Sequence, residues 1–329
     1  MELEVCNVGP IKGCLDLEVG NLTLLVGPNS SGKSTVLRSL YALTKKNAED
    51  AAKVLYNTFE DVHLLDTTVK YGDSCICEND FKPLDASASY ASATRVNALS
   101  LAPLLEGIEK VLDQMNKLGT LVGAIPSKKD LGTQVYNLLK LFFSDQKGSS
   151  SLYYLQEYLN PIDVDLALKL RAVFNDQNLK EELKRLLEQF HYIEDPLEPS
   201  IPSVAAHSSG SLYLVPILAA LVSAKDYLLV DEPESHLEIP NQAKLVKLLA
   251  DKALKGLKVL VSTHSSTFVA ALATYSYHLD MDVSVYEFVR KGNAIKVIKR
   301  ERIEDVIPIE RMETWLHKIN WERWWEEVS

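Results

Sequence analysis

The sequence predicts an α/β fold with a mixed sheet, and three observations support this prediction. A short apolar run over 22–26 leads into a glycine-rich turn and then a helical pattern over 36–43. Two further apolar runs, 227–230 and 258–261, each end in polar residues, as buried parallel strands do. Segments 3–8 and 14–19 alternate apolar and polar residues, which is typical of half-buried antiparallel strands.

The composition indicates a globular chain with an acidic balance. The 329 residues are 47% hydrophobic and carry a formal net charge of −10, so a sizeable core is expected and a coat of positive charge is excluded. Cys6, Cys14, Cys75 and Cys77 include no Cys-x-x-Cys pair, so we expect neither a zinc site nor a disulfide framework. Without a basic leader or an apolar run of about 20 residues, we expect a cytoplasmic protein with no membrane partner.

The turn over 27–35 has the residue spacing of a phosphate-binding loop, the Walker A motif. Its residues are Gly27, Pro28, Asn29, Ser30, Ser31, Gly32, Lys33, Ser34 and Thr35. In such a loop the backbone N–H groups converge on nucleotide phosphates, the lysine reaches the β- and γ-phosphates, and the hydroxyl after it ligates Mg²⁺. Thr35 can add a contact to the α-phosphate. A glycine-rich turn that only begins a helix is the alternative, but the flanking strand and helix favour nucleotide binding.

Two acidic residues follow the apolar run over 227–230. Asp231 and Glu232 stand at the carboxyl end of a predicted buried strand, where carboxylates are costly unless they are used. We predict that Asp231 belongs to the Mg²⁺ shell and that Glu232 is the general base for an attacking water. His264, after the run over 258–261, is placed to sense a γ-phosphate. The alternative is that these are ordinary surface side chains.

A segment rich in serine and glycine precedes an apolar helical stretch over 212–224. It contains Ser208, Ser209 and Gly210. Serine hydroxyls at this position can simply satisfy the free N–H groups of a helix start. Alone, the segment therefore predicts a helix N-terminus and no chemistry.

In this order, the four motifs resemble those of the ATP-binding-cassette (ABC) ATPases. They are most similar to the non-transporter branch, which includes the chromosome-maintenance and RecF-type DNA-repair ATPases and the ATPase part of the OLD (overcoming lysogenization defect) nucleases. The stretches 231–234 and 262–265 are most like the OLD group. The resemblance implies a P-loop NTPase head with a mixed sheet, an antiparallel β subdomain and a helical insert.

Two departures from the family pattern matter. Transporter cassettes carry Leu-Ser-Gly-Gly-Gln, whereas Ser211 and Leu212 occupy the last two places here, which disfavours a transporter ATPase. No glutamine lies between Gly32 and Gln114, so the loop glutamine that contacts Mg²⁺ in the family has no counterpart to assign.

The resemblance also predicts the domain organisation. We expect an N-terminal ATPase lobe over 1–96, a helical insert and linker over 97–202, a C-terminal ATPase lobe over 203–300 and a tryptophan-rich helix over 301–329. Within these, the patterns predict a hairpin of 64–71 with 74–77, helices over 99–118, 131–143, 152–158 and 164–190, a linker over 194–202, and a strand pair within 283–300.

The mechanism implied by the resemblance is an ATP-dependent homodimer. Two protomers would pair head to tail, and Ser209 and Gly210 of one would grip the γ-phosphate bound by the other. Lys33, Glu232 and His264 would be the catalytic residues, Ser34 and Asp231 the metal ligands, and ATP and Mg²⁺ the cofactors. Loss of the γ-phosphate would then release the dimer.

Two biological readings stay open. The first is an ATPase in DNA repair, genome defence or mobile-element maintenance, with DNA or a separately encoded nuclease or effector as partner. We expect no OLD-type nuclease domain within these 329 residues. The second is an ATP-sensing scaffold subunit without DNA binding. The most basic stretch, a candidate DNA edge or a solvated strand face, contains Arg290, Lys291, Lys296, Lys299, Arg300 and Arg302.

Overall fold

A computed structural model describes residues 1–57, 66–78, 80–95, 97–99, 101–102, 160–190, 209–291 and 294–306. Most of the predicted insert, the linker over 194–202 and the tryptophan-rich tail lie outside these ranges.

The described chain begins with strands and continues as alternating helices and strands. The strands are β1 (Glu2–Cys6), β2 (Cys14–Glu18), β3 (Leu22–Val26), β4 (Thr68–Tyr71), β5 (Ser74–Cys77), β6 (Asp80–Lys82), β7 (Ala88–Ala91), β8 (Tyr227–Asp231), β9 (Lys258–Thr263), β10 (Val283–Lys291) and β11 (Ala294–Arg300). The helices are α1 (Lys33–Leu43), α2 (Ala48–Tyr56), α3 (Pro161–Asn175), α4 (Gln177–Gln189), α5 (Ser209–Ser223), α6 (Ile239–Leu254) and α7 (Ser266–His278), and a 3₁₀ turn spans Ile303–Val306.

These strands form two sheets. The larger has the order β11-β10-β3-β9-β8-β7, and all its neighbours are parallel except the β10–β11 pair. The smaller is antiparallel, with the order β2-β1-β4-β5-β6. The predicted hairpin around Gly72 and the predicted strand pair before residue 300 are both present, whereas β6 and β7 were not predicted.

Successive side chains along the parallel strands point to opposite faces of the sheet and pack into two separate apolar cores. Leu24, Val230 and Val261 face a core shared with the helices that follow residue 160. Leu25 and Leu229 face the opposite core, which also contains α1, α2 and the antiparallel sheet. Burial on both faces explains why these strands read as short continuous apolar runs.

The predicted long helix over 164–190 is wrong, because the structure breaks it in two at Asp176. The backbone of Asp176 is extended, and its carboxylate accepts hydrogen bonds from the N–H groups of Asn178 (2.9 Å) and Leu179 (3.1 Å). Asp176 therefore ends α3 and caps the N-terminus of α4. The sequence did not indicate the break, because the apolar residues have helical spacing on both sides of Asp176.

A buried carboxylate fastens the chain where it returns from the undescribed segment. Asp163, in the first turn of α3, is fully buried and accepts hydrogen bonds from Ser92 and Thr94 after β7 and from the side-chain amide of Asn160. Burial raises the pKa of Asp163, and these hydrogen bonds act against that rise. The carboxylate thus joins the end of β7 to the start of α3.

The expectation of no disulfide is wrong at one pair. Cys6 and Cys14 are directly opposite each other in the β1–β2 register and are joined by a disulfide bond. Their separation of eight residues across a turn contains no sequence signal that distinguishes this pairing from chance. Cys75 and Cys77 are free thiols, as expected.

Three cations of the basic stretch are paired with acids. Lys299 contacts Glu18 (2.7 Å), Arg302 contacts Asp305 (3.1 Å), and Arg300 forms an ion pair with Glu287. Nearby carboxylates therefore offset much of the positive charge of the basic stretch.

Candidate functional site

The candidate site lies where three neighbouring parallel strands end. β3 pairs with β9 so that Val26 is opposite Thr263, and β9 pairs with β8 so that Ser262 is opposite Asp231. The phosphate loop, the acidic pair and His264 all follow these positions directly. The topology thus brings the motifs to one edge of the sheet, where ligands bind in α/β folds.

The loop over 27–32 has a backbone that needs glycine at two positions. Gly27 has φ +154°, and a Cβ there would lie 2.5 Å from the carbonyl oxygen of Phe288 on β10. Gly32 has φ +91°, and a Cβ there would lie 3.2 Å from Ile11. Ser30, where a glycine is common, has φ +59° and tolerates the left-handed region at a cost of about 1 kcal/mol.

Lys33, the first residue of α1, is held beneath the loop. Its amine donates hydrogen bonds to the carbonyl oxygens of Gly27 and Pro28, both at 2.8 Å. Burial lowers the pKa of Lys33, while the charges of nearby Asp231 and Glu232 act to raise it. The amine therefore stands between the loop and the acidic pair.

The loop fits a phosphate group. The hydroxyl of Ser31 is buried and has no hydrogen-bond partner, although buried polar atoms are normally paired. Gly32 precedes α1 without a side-chain cap, so the N–H groups at this helix start are not covered by a capping side chain. Ser34 and Thr35 follow in the first turn, where predicted phosphate and metal contacts require them.

Asp231 and Glu232 differ in their surroundings. Asp231, the last residue of β8, is buried and accepts a hydrogen bond from the hydroxyl of Ser262. Glu232 has φ +50°, a strained value for a residue with a side chain, and its side chain is 26% exposed. The N–H of Glu232 donates to the carbonyl of Ser262 (2.9 Å). Asp231 is thereby fixed, while Glu232 turns toward the open edge.

His264 lies against two carboxylates. Its Nδ1 atom is 3.6 Å from Oε1 of Glu232 and 3.4 Å from Oε1 of Glu234. Glu234 is buried, and the same oxygen accepts hydrogen bonds from the hydroxyl of Thr263 (2.7 Å) and the N–H of His264 (3.1 Å). The structure therefore places two of the predicted site residues, His264 and Glu232, beside each other. It also places Glu234, which was not predicted as a site residue, beside His264.

The serine- and glycine-rich segment over 208–210, called here the signature segment, falls at the start of α5, the signature helix. Ser209 is the first residue of the helix and Gly210 the second, whereas Ser208 lies outside the described residues. The sequence predicted a helix start here, and the described part agrees with it.

Two functional candidates were missed in the sequence. Glu234 follows the acidic pair at a spacing of two, and only its contact with His264 distinguishes it. Arg95 follows β7, and it is fully buried with its guanidinium against the Asp231–Glu232 backbone. No feature of the sequence around Arg95 indicates this contact.

A comparison with known families matches residues 104–270 to the family described as "AAA domain, putative AbiEii toxin, Type IV TA system". The match covers half of the chain and includes the signature segment, the acidic pair and His264. The chain belongs to this AAA-domain family.

Among curated proteins, this AAA-domain chain is 27% identical over 189 residues to the ATP-binding protein Uup of Buchnera aphidicola subsp. Schizaphis graminum. The aligned region covers 53% of the chain and 30% of that relative's length. Among solved structures, it is similar to the ADP conformation of MJ1267, an ATP-binding cassette of an ABC transporter (15% identity, 96% and 99% of the two chains, TM-score 0.42). A Smc head domain bound to the C-terminal domain of ScpA from Pyrococcus furiosus is also similar (13% identity, 96% and 98%, TM-score 0.42).

The predicted α/β fold class is confirmed, because the described residues form a mixed sheet and an antiparallel β subdomain. The assignment to the ABC class stays a prediction. The more specific resemblance to OLD nucleases stays a prediction. None of the helices in the described ranges combines the length and apolar character needed to cross a bilayer.

Proposed function

We propose that this chain binds ATP with Mg²⁺ and hydrolyses it. The observation that carries the proposal is the convergence of Lys33, Asp231, Glu232 and His264 at the ends of three adjacent parallel strands. The alternative, that these are ordinary surface side chains, does not explain why a lysine amine is buried near two acids and beside a loop that needs glycine.

The residues of the loop would hold the nucleotide. Backbone N–H groups of the loop other than at Pro28 surround the phosphates, Lys33 exchanges its carbonyl partners for phosphate oxygens, and the unpaired hydroxyl of Ser31 gains an acceptor. Ser34 and Asp231 are the residues that would hold Mg²⁺. When bound, this ion neutralises charge on the phosphate oxygens.

Glu232 would accept the proton of the attacking water at its carboxylate. Its partial exposure gives water access, and its contact with His264 orients the carboxylate at the open edge of the sheet. His264 would contact the γ-phosphate, and Glu234 would hold the His264 backbone in place. Lys33, Glu232 and His264 are thus the proposed catalytic group.

We further propose that ATP is shared by two copies of the chain. Ser209 and Gly210 at the N-terminus of α5 would contact the nucleotide held by the partner's phosphate loop, since free N–H groups at a helix start favour anions. Hydrolysis would remove this contact and separate the copies.

For the biological role, we propose genome defence, DNA repair or mobile-element maintenance, in that order. The matched family is named for a toxin of a toxin–antitoxin system, which supports a role in genome defence. The alternative, an ATP-sensing scaffold that does not bind DNA, is favoured by one observation: Lys299, Arg300 and Arg302 are already paired with acids. A separately encoded nuclease or effector fits either reading.

The test is steady-state hydrolysis of ATP by the purified chain, with and without Mg²⁺ and with and without double-stranded DNA at low and moderate salt. We expect Mg²⁺-dependent turnover that is lost in Lys33→Ala and kept in Lys46→Ala, an exposed lysine three residues beyond α1. Equal turnover in Lys33→Ala and the wild type would overturn the site assignment. Salt-sensitive stimulation by DNA supports the nucleic-acid reading, and indifference to DNA supports the scaffold.

A further inference from the structure

Arg95 is a buried cation whose hydrogen bonds all go to backbone carbonyls. Its Nε donates to Tyr213 on α5 (2.9 Å), its Nη1 to Ser92 (3.1 Å) and Asp231 (3.0 Å), and its Nη2 to Glu232 (3.1 Å). One planar side chain thus joins the end of β7, the signature helix α5 and the turn over 232–236 after β8, called here the acidic turn. Lysine cannot span these four acceptors, because its single amine lacks the fork geometry of guanidinium.

This arrangement is costly, which indicates a role beyond filling space. A guanidinium that is fully buried loses its hydration, and burial lowers the pKa of Arg95 to about 10, while the charge of Asp231 acts in the opposite direction. The group still carries its proton at neutral pH. Apolar side chains would pack α5 against β8 without this desolvation.

A second contact joins the same two elements. The guanidinium of Arg95 lies 5.3 Å from the ring centre of Tyr213, and the Tyr213 ring stacks on His236 with centroids 4.1 Å apart. His236 lies in the turn that follows Glu232 and has φ +61°. The signature helix and the acidic turn are therefore connected through both main chain and side chains.

The backbone of Glu232 needs such support. Its left-handed backbone is unfavourable for a residue with a side chain and persists only where neighbours hold it. Ser262 accepts its N–H, while Arg95 and the N–H of Ser235 donate to its carbonyl. Arg95 thus holds one side of the peptide that aims the proposed base.

We propose that Arg95 is a positioning residue that couples the signature helix to Glu232. This inference rests on the proposed function. In a head-to-tail dimer, α5 of one copy contacts the nucleotide of the other, so Arg95 links that contact to the base of its own copy. Hydrolysis at one site then depends on occupancy of the other, and the two sites turn over cooperatively.

The first experiment measures hydrogen exchange in the nucleotide-free protein, so it does not depend on ATP hydrolysis. In Arg95→Gln we expect amides of 209–216 and of 230–238 to exchange about tenfold faster together, because both lose their shared donor. The matched control is Lys169→Met on α3. The Lys169 amine is also a partly buried cation, but it donates to the carbonyl of Ala88 (2.5 Å) and the hydroxyl of Ser89 (2.7 Å), away from the acidic turn.

The second experiment measures turnover against ATP concentration. Arg95→Gln should lower kcat about 10- to 100-fold, leave ATP affinity within about threefold, and reduce a Hill coefficient above one to about one. Arg95→Lys should behave like Arg95→Gln, because charge without the fork does not restore the geometry. Lys169→Met should keep the wild-type Hill coefficient.

Three results would overturn the proposal: unchanged exchange at 230–238 in Arg95→Gln, wild-type kcat and Hill coefficient in that variant, or full rescue by Arg95→Lys. If Arg95→Gln does not fold, Arg95→Lys and His236→Ala decide the matter. His236→Ala removes only the exposed stacking partner and should speed exchange at 209–216. If the wild type neither binds nor hydrolyses ATP, the proposed function is refuted. The hydrogen-exchange result in the nucleotide-free protein then decides by itself whether Arg95 holds α5 and the turn after β8 together.

Discussion

Replacing Glu232 by glutamine separates nucleotide binding from hydrolysis. Glutamine has the same shape as glutamate and keeps an oxygen facing Nδ1 of His264, which lies 3.6 Å from Oε1 of Glu232 in the wild type. The amide of glutamine cannot accept the proton of a water molecule. A general base is worth about 10²- to 10⁴-fold in rate. Because the Glu232 side chain is 26% exposed and His264 is 44% exposed, solvent can accept the proton instead, and we expect the lower half of that range.

The expected decrease in kcat is therefore about 100- to 1,000-fold, equivalent to about 3 to 4 kcal/mol of lost transition-state stabilisation. ATP affinity should stay within about threefold, and the variant should accumulate as a nucleotide-bound dimer by light scattering. Glu238→Gln is the control, since Glu238 is exposed and its side chain caps nothing. A kcat within threefold of the wild type would refute Glu232 as the base, and a variant that stays monomeric in saturating ATP would contradict the shared-nucleotide dimer.

Three further predictions concern stability and its link to the site. Glu234→Ala should lower the free energy of unfolding by about 2 to 4 kcal/mol in urea, because the hydroxyl of Thr263 and one backbone N–H lose their acceptor; a loss equal to that of Glu238→Ala would contradict this. Gly27→Ala should be less stable than Gly13→Ala by about 1 to 3 kcal/mol, since both have positive φ but only Gly27 meets Phe288; equal losses would remove the close approach as the cause. Burial lowers the pKa of Lys169 to about 8, so the unfolded chain holds that proton more tightly between pH 8 and 10.5. The wild type should therefore gain about 2 kcal/mol of stability relative to Lys169→Met between pH 7 and 10, and a constant difference across that range would exclude the shift.

The sequence predicted the parts of the site that lie on short, regular elements. Strand ends at Val26, Asp231 and Thr263 could be located because a buried parallel strand reads as an apolar run with polar residues directly after it. The left-handed backbone of Glu232 could not, because it depends on contacts with Ser262 and Arg95 that are distant in the chain.

The misses have the same cause. The break at Asp176 depends on which side chain caps the next helix, and an aspartate within an amphipathic pattern reads equally well as a surface residue. Arg95 was missed because nothing in the local sequence distinguishes a buried arginine from an exposed one. The pairing of Cys6 with Cys14 follows from the β1–β2 register, which periodicity alone does not determine.

The carboxylate of Asp163 ties the two ends of the segment between β7 and α3 to each other, within the α/β core itself. When both ends of an insertion are held at one point, the entropy of closing it grows only slowly with its length. The core can therefore carry an insertion of very different size or sequence at this place without moving its strand ends. This junction is consequently a natural graft point, where an inserted segment can be exchanged while the α/β core is kept.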